Sequence, residues 1–125
     1  TTSSTPTFSE ASVAPGTHIV GIGSFQPSMI EIEPSILESA SIFIDQAEAC
    51  WSEAGEMNAA RAQGLLDADD VKELGEIVLG LHPGRISDEE ITVFKSVGIA
   101  TQDAVASSIT LDKAKSLGVG TTVTL

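Results

Sequence analysis

The sequence is poor in positive charge and in long apolar runs. Only 6 of its 125 residues are Lys or Arg, against 18 Asp or Glu, which gives a formal net charge of −12. Nucleic acids and anionic membrane surfaces attract Lys and Arg, so this balance argues against both as partners. No apolar run approaches the ~18 residues that a membrane-spanning helix needs.

Cysteine is also scarce, and the single Cys50 excludes an intrachain disulfide and is typical of a reducing compartment. Two His residues and this one Cys are widely spaced, which predicts no metal site. No signal peptide opens the chain. The expected location, from the single Cys50, is the cytoplasm. The opening TTSSTPTF has no Met and no helix or strand pattern. We therefore expect a cut or processed end, or a sequence that continues before Thr1.

What the sequence does contain predicts one α/β domain. The composition, 42% hydrophobic and 19% charged, suits a globular domain with a core of modest size. Runs of β-branched and apolar residues predict buried strands at 18–23, 41–45 and 91–94. Helical patterns follow at 34–40, 46–57, 71–81 and 99–117. Alternating Thr and apolar residues at 118–125 predict either a last edge strand or a tail laid on another element. This order predicts a mainly parallel sheet.

The segment 91–117 leads a strand straight into a helix, with Lys95-Ser96-Val97-Gly98 at the joint. Ligands of α/β sheets bind where strands end and helices begin, because the first N–H groups of a helix are unpaired there. Gly23 and Ser24, after the first strand, would let a ligand approach the same edge. The segment GIGSFQ is not a dinucleotide phosphate turn, because it lacks a third glycine and Pro27 follows.

For several other polar residues a structural role competes with a functional one, and the structural role is favoured. Glu31 and Glu33 alternate with Ile32, which predicts solvated acids rather than an acid–base pair. Cys50 falls on an apolar stripe, as a buried inert thiol does. Arg85 is expected to pair with nearby acids rather than with a ligand. The hydroxyl row 1–5 is typical of a loop, although it could line a polar ligand.

The chain carries, in order, the segments TTSSTPTF, PGTHIVGIGSFQPSMIEIEPSIL, SIFIDQ, ELGEIVLG and GRISDEEITVFKSVGIATQD. Together with the closing Ala-rich helix, these segments resemble the C-terminal part of the ornithine cyclodeaminase/mu-crystallin family. The resemblance implies a Rossmann-type α/β fold with a mainly parallel sheet. Residues 1–125 would be the C-terminal portion of an NAD(P)-binding domain, including its C-terminal helices. The phosphate-binding turn and the substrate and dimerisation domain would not be present in this sequence.

The same resemblance implies the cofactor, NAD or NADP, and the residues that contact it. A hydroxyl-rich segment would lie beside the cofactor, a second segment would lie near the nicotinamide, and a third would close the other side of that pocket. In that order the three segments are Thr2, Ser3, Ser4 and Thr5; Ile22, Gly23 and Ser24; and Lys95, Ser96, Val97 and Gly98.

One departure from the family pattern narrows the expected function. Cyclodeaminases of the family place an acid–base Asp in a G-x-D-x-P pattern, and here that position is Ser24, in GSFQP. A Ser lacks a pKa suited to this work near neutrality. The expected function is therefore part of a homodimeric NAD(P)-dependent reductase or dehydrogenase acting on a small cyclic imino acid or an amino acid. It would work with the portion of the enzyme that precedes Thr1. The alternatives are a non-catalytic mu-crystallin-like protein that holds NADPH or a small ligand, and an inactive fragment.

Overall fold

A computed structural model describes residues 1–124. Its strands are β1 (His18–Gly21), β2 (Ser41–Ile44), β3 (Val71–Glu73) and β4 (Thr92–Lys95). Its α-helices are α1 (Pro34–Ser39), α2 (Ala47–Glu53), α3 (Gly55–Ala62), α4 (Leu74–Val78) and α5 (Ala100–Leu117). Short 3-10 turns occupy Glu10–Ser12 and Ala68–Asp70. Within residues 1–124, no helix combines the length and the apolar character that a membrane crossing requires.

The four strands form one sheet in the order β1-β4-β2-β3, and every neighbouring pair is parallel. The strand that comes last in the sequence, β4, lies between β1 and β2. Its register pairs Lys95 with Gly21 on one side and with Ile44 on the other. Because the strands all run the same way, the loops after β1, β2 and β4 meet at one edge of the sheet. The predicted α/β class with a parallel, Rossmann-type sheet is confirmed.

The core lies on one face of this sheet. Side chains alternate between the two faces of a strand, so Ile19, Ile42 and Val93 all point to the same side and are buried there. Helices α1 and α3 cover them with Ile36 and Met57, which belong to the same hydrophobic cluster. Burial of one such side chain contributes about 1.5–3 kcal/mol. This packing fixes the strands, and therefore the loops at their ends.

The other face is covered only in part, and the last helix is open to solvent. Val20, on the uncovered face of β1, is 57% exposed. Helix α5 buries none of its residues, and Val105 and Ile109 on it are more than half exposed. The helix ends at Gly118, whose φ of 66° is left-handed, and the N–H of Val119 donates to the carbonyl of Ala114. This is a regular glycine C-terminus, so α5 is well formed but unsupported by residues 1–124.

Three secondary-structure predictions are wrong, for the segments 71–81, 118–125 and 46–57. The helix predicted at 71–81 begins only at Leu74, because Val71–Glu73 pairs with Ile42–Ile44 as strand β3. The last strand predicted at 118–125 is not a strand within 118–124, where no neighbouring strand is present for pairing, and Leu125 lies outside the described residues. Short apolar runs satisfy both helical and strand periods, and only pairing partners distinguish them.

The single helix predicted at 46–57 is divided into α2 and α3 at Ala54, whose ψ of 108° is extended. The reason lies at Gly55. A side-chain carbon on Gly55 would overlap the backbone carbonyl oxygens of Met29 and Pro27. The chain therefore bends where glycine permits a close approach, and α3 begins against the loop that follows β1.

Candidate functional site

The candidate site is the edge of the sheet where β1, β4 and β2 end. After these strands the chain continues into Ile22–Ser24, Ser96–Gly98 and Asp45, respectively. The N–H of Ser96 donates to the carbonyl of Gly21 at 3.0 Å, so the first two segments leave the sheet side by side. The parallel sheet thus brings together two of the three segments predicted from the sequence, residues 22–24 and 95–98.

Below this edge lies a buried cluster formed by Lys95, Ser24 and Glu56. Lys95 is 1% exposed, and its Nζ donates to Ser24 Oγ at 2.8 Å and lies 3.0 Å from Glu56 Oε1. Ser24 Oγ donates in turn to the other carboxylate oxygen of Glu56. Each of the three side chains therefore contacts the other two, out of reach of solvent. Glu56 was not predicted from the sequence, because an acid within a helical pattern is normally solvated.

Glu31 is buried as well, which contradicts the prediction that it is a solvated acid. Its carboxylate oxygens accept the N–H of Gly23, each at 3.1 Å. Lys95 Nζ lies 3.9 Å away. The alternation of Glu31 and Glu33 with Ile32 predicted exposure wrongly for Glu31. Residues 30–32 are not a strand, and the N-terminal segment covers them.

Gly23 is required by these contacts. A side-chain carbon at this position would overlap Thr1 and the Glu31 carboxylate. The close approach that the sequence predicted for a ligand is therefore made, within residues 1–124, by the chain itself.

Asp45, at the end of β2, organises the loop between β4 and α5. Its Oδ2 accepts the hydroxyl of Ser96 at 2.5 Å and the N–H of Gly98 at 3.0 Å. Its Oδ1 accepts the N–H of Gln46 and the thiol of Cys50. Burial would raise the pKa of Asp45, but these hydrogen bonds together lower it. Asp45 was not predicted as a site residue, although its position after a buried strand at the ligand-binding edge was a usable signal.

Cys50 is fully buried and chemically protected, as the sequence analysis predicted. Burial, together with the neighbouring Asp45, raises the pKa of its thiol to about 12. The thiolate that nucleophilic chemistry needs is therefore almost unpopulated at neutral pH.

Arg85 lies at the opposite end of the sheet, away from the candidate site. Its guanidinium donates to the backbone carbonyls of Gly16 and Thr17 and to the hydroxyl of Thr92. Within residues 1–124 it forms no ion pair with a carboxylate, so the prediction of acidic partners is wrong. Because backbone carbonyls and a hydroxyl take its N–H groups, it links the loop before β1 to β4.

The hydroxyl-rich start of the chain runs beside the site. The carbonyl of Ser3 accepts the N–H of Ile30, and the hydroxyl of Ser3 donates to the carbonyl of Thr5. Thr2, Ser4 and Thr5 are exposed. The segment is thus an ordered loop whose outer surface is open to solvent, on the Gly23 side of the edge.

The site is an open wall rather than an enclosed pocket in the part of the chain that is described. Concave surfaces of about 350, 450 and 510 Å³ lie elsewhere, between α1 and the 82–90 loop, over Phe43 and Phe94, and at the end of α5. Residues 1–124 also hold no group of three or more His, Cys, Asp or Glu side chains placed to bind a metal.

Several known proteins are similar to this chain in sequence and in fold. A Δ1-pyrroline-2-carboxylate reductase of Bacillus cereus (strain ZK / E33L) is 42% identical over 122 residues, which are 96% of this chain and 37% of that protein. The structure of Thermococcus litoralis Δ1-pyrroline-2-carboxylate reductase in complex with NADH and L-proline matches with a TM-score of 0.91 and 33% identity, over 98% of this chain and 38% of that one. An archaeal alanine dehydrogenase dimer with bound NAD matches with a TM-score of 0.88 and 36% identity, over 100% of this chain and 39% of that one.

The chain therefore spans less than two-fifths of the length of these relatives. A sequence profile of the ornithine cyclodeaminase/mu-crystallin family matches residues 1–118, nearly the whole chain. The chain belongs to the ornithine cyclodeaminase/mu-crystallin family.

Proposed function

We propose that the chain is the C-terminal portion of the NAD(P)-binding domain of an imine reductase or amino acid dehydrogenase. The observation that carries this proposal is the sheet edge where Ile22–Ser24 and Ser96–Gly98 run side by side, together with the match to a structure in complex with NADH and L-proline. Ligands of open parallel sheets bind at this edge. The remainder of the NAD(P) domain and the substrate domain would belong to the same enzyme.

In this function the nicotinamide half of the cofactor would lie along the edge. Ile22 and Gly23 would form one side and Ser96, Val97 and Gly98 the other, with Ser24 and Lys95 buried beneath them. Thr2, Ser3, Ser4 and Thr5 would line the ribose side with hydroxyls. Gly98 has a φ of 86° and nothing within 4 Å of the position of a side-chain carbon, so the backbone there leaves room for a flat ring.

The residues present fit only this half of the cofactor. The turn after β1 is GIGSFQP, and the next helix starts at Pro34, too far along the chain for a phosphate-binding turn. The pyrophosphate would therefore be held by residues outside this sequence. When bound, the reduced cofactor supplies a hydride to the carbon of a C=N bond, while the nitrogen takes a proton from solvent or from a group outside this chain.

The position of Ser24 supports reductase or dehydrogenase chemistry over cyclodeamination. Its hydroxyl is buried and engaged by Glu56 and Lys95. It is therefore unavailable as an acid or base to a substrate at the edge. Hydride transfer needs no protein group at this position that changes protonation.

The expected assembly is a homodimer in the cytoplasm, with a small imino or amino acid as substrate. The archaeal alanine dehydrogenase that this chain resembles is a dimer with bound NAD. The single reduced Cys50 is compatible with a reducing compartment.

The test is an assay of the native protein that carries this chain. The loss of reduced nicotinamide absorbance would be followed with NADH or NADPH and three substrates, namely a five-membered cyclic imino acid, pyruvate with ammonium, and iminosuccinate. We expect oxidation with at least one. Tight cofactor binding without turnover on any of them would instead support the non-catalytic, mu-crystallin-like role, and the absence of both would refute the proposal.

A further inference from the structure

The cluster of Lys95, Ser24 and Glu56 lies directly beneath the proposed nicotinamide wall and has no role yet in the proposed function. Glu56 and Ser24 are 0% exposed and Lys95 is 1% exposed. An ion pair this deeply buried is a costly way to stabilise a fold, because desolvation of both charges offsets their attraction. Apolar side chains of similar volume often serve stability equally well. The cluster therefore calls for a role beyond filling the core.

The cluster connects the two sides of the edge. Ser24 belongs to the segment after β1, Lys95 is the last residue of β4, and Glu56 lies in the first turn of α3. The contacts between Lys95 and Ser24 and between Ser24 and Glu56 join residues 71 and 32 positions apart. No other side chain in the described residues joins these three elements through a comparable set of polar contacts.

Glu56 is the fixed member of the cluster. It stands near the N-terminus of α3, where the helix dipole favours a negative charge. That helix start is held against the loop carbonyls of Pro27 and Met29 at Gly55. Glu56 Oε1 accepts no hydrogen bond and is compensated only by Lys95 Nζ at 3.0 Å. The Lys95 ammonium thus lies against a buried carboxylate whose helix is packed on the loop after β1.

The Lys95 ammonium is enclosed by polar groups of the chain itself. Its ammonium carries three N–H groups, and Ser24, Glu56 and, at 3.9 Å, Glu31 surround it. At 1% exposure, a direct bond to a cofactor would require the cluster to break. Its contribution to the edge is through the backbone that it holds.

We propose that Glu56 is a positioning residue, which holds Lys95 and Ser24 so that the two backbone walls of the nicotinamide site keep a fixed separation. This inference rests on the proposed function. It predicts that the cluster affects cofactor binding and hydride transfer separately from stability. A displacement of about 1 Å at a reacting centre can cost about a hundredfold in rate.

The test uses three variants of the native protein that carries this chain. Glu56→Gln keeps the size of the side chain and removes its charge. The double variant Lys95→Met with Glu56→Leu replaces the ion pair by apolar groups. Met57→Leu, at the adjacent buried position, is the matched control for a change in packing alone. For each variant we would measure the melting temperature, the Kd for the reduced cofactor, and kcat and KM separately.

We expect the double variant to melt close to the wild type but to bind the cofactor about tenfold to a hundredfold more weakly, with a lower kcat. Glu56→Gln should lie between the wild type and the double variant, and Met57→Leu should match the wild type in binding. A double variant with wild-type cofactor affinity and kcat would overturn the inference, because the cluster would then serve packing alone.

A ligand-free measurement separates this inference from the proposed function. Hydrogen exchange at the Ser96 amide, which bonds to Gly21 across the two walls, should accelerate at least about tenfold in the double variant and stay unchanged in Met57→Leu. If the wild type binds no nicotinamide, the proposed function fails while this measurement still tests the positioning role. Unchanged exchange at Ser96 in the double variant would refute the role of Glu56 in either case.

Discussion

Replacement of Lys95 by Met should be among the most destabilising single substitutions in the chain. Met matches the length of the Lys side chain but removes the cation between Glu56 and Glu31. Glu56 is 0% exposed and its Oε1 has no other partner, so its charge would remain buried and uncompensated. Removal of one partner from a buried ion pair costs about 3–5 kcal/mol. We expect a loss of that size in the free energy of unfolding.

Urea denaturation of the native protein, followed by circular dichroism, would measure this loss. Lys113→Met on α5 is the control, because Lys113 is an exposed cation, and it should change stability by less than about 0.5 kcal/mol. Adding Glu56→Leu to Lys95→Met should recover most of the loss, because no buried charge is then left at Glu56. A loss below about 1 kcal/mol for Lys95→Met alone, at equal denaturant dependence, would show that Glu56 is not the buried charge described above.

Four further predictions follow from the same structure. Because the pKa of Asp45 is lowered in the folded state, its ionised form stabilises the protein above the ordinary Asp value of about 3.9. That stability is lost as pH falls through the lowered pKa. Acidification should therefore lower the denaturation midpoint less in Asp45→Asn than in the wild type. Gly23→Ala should destabilise the fold by about 1–3 kcal/mol in a thermal melt, through overlap with the Glu31 carboxylate, and wild-type stability would contradict this. Cys50, with a pKa of about 12, should resist iodoacetamide at neutral pH until urea unfolds the chain, and rapid labelling of the folded chain would refute its protection. In the isolated 125-residue chain, amides of α5 should exchange far faster than those of β4, because α5 buries no residue; equal protection would show that α5 is packed.

The sequence predicted those parts of the fold that depend on local pattern. The strands at 18–21, 41–44 and 92–95 and the long helix after Gly98 have strong local signals, and the structure confirms them. Strand β3 was missed because Val71–Glu73 becomes a strand only by pairing with β2, about thirty residues earlier. Its spacing of apolar residues fitted a helix equally well.

The candidate site was predictable in outline but not in its interior. The loops after β1 and β4 could be placed at one edge, because parallel strands carry their loops on the same side. Glu31 and Glu56 could not be recognised, since an acidic residue is usually solvated and only the folded chain shows that each is buried next to Lys95. Asp45 could have been found, because it follows a buried strand at that same edge.

The order of the strands explains why the site needs the whole sheet. Strand β4 comes last in the sequence but lies between β1 and β2, so Lys95 reaches Ser24 only when β4 has entered the sheet. The same entry places Ser96 against Asp45, a residue 51 positions earlier. Contacts of such long range require long loops to close before they can form, which slows folding. A chain with net charge −12 must also place Lys95, one of its 6 cations, beside the buried Glu31 and Glu56 when β4 enters the sheet. The insertion of β4 therefore couples the formation of the core to the formation of the edge, and a substitution that leaves one charge of the Lys95 cluster buried and unpaired should affect both.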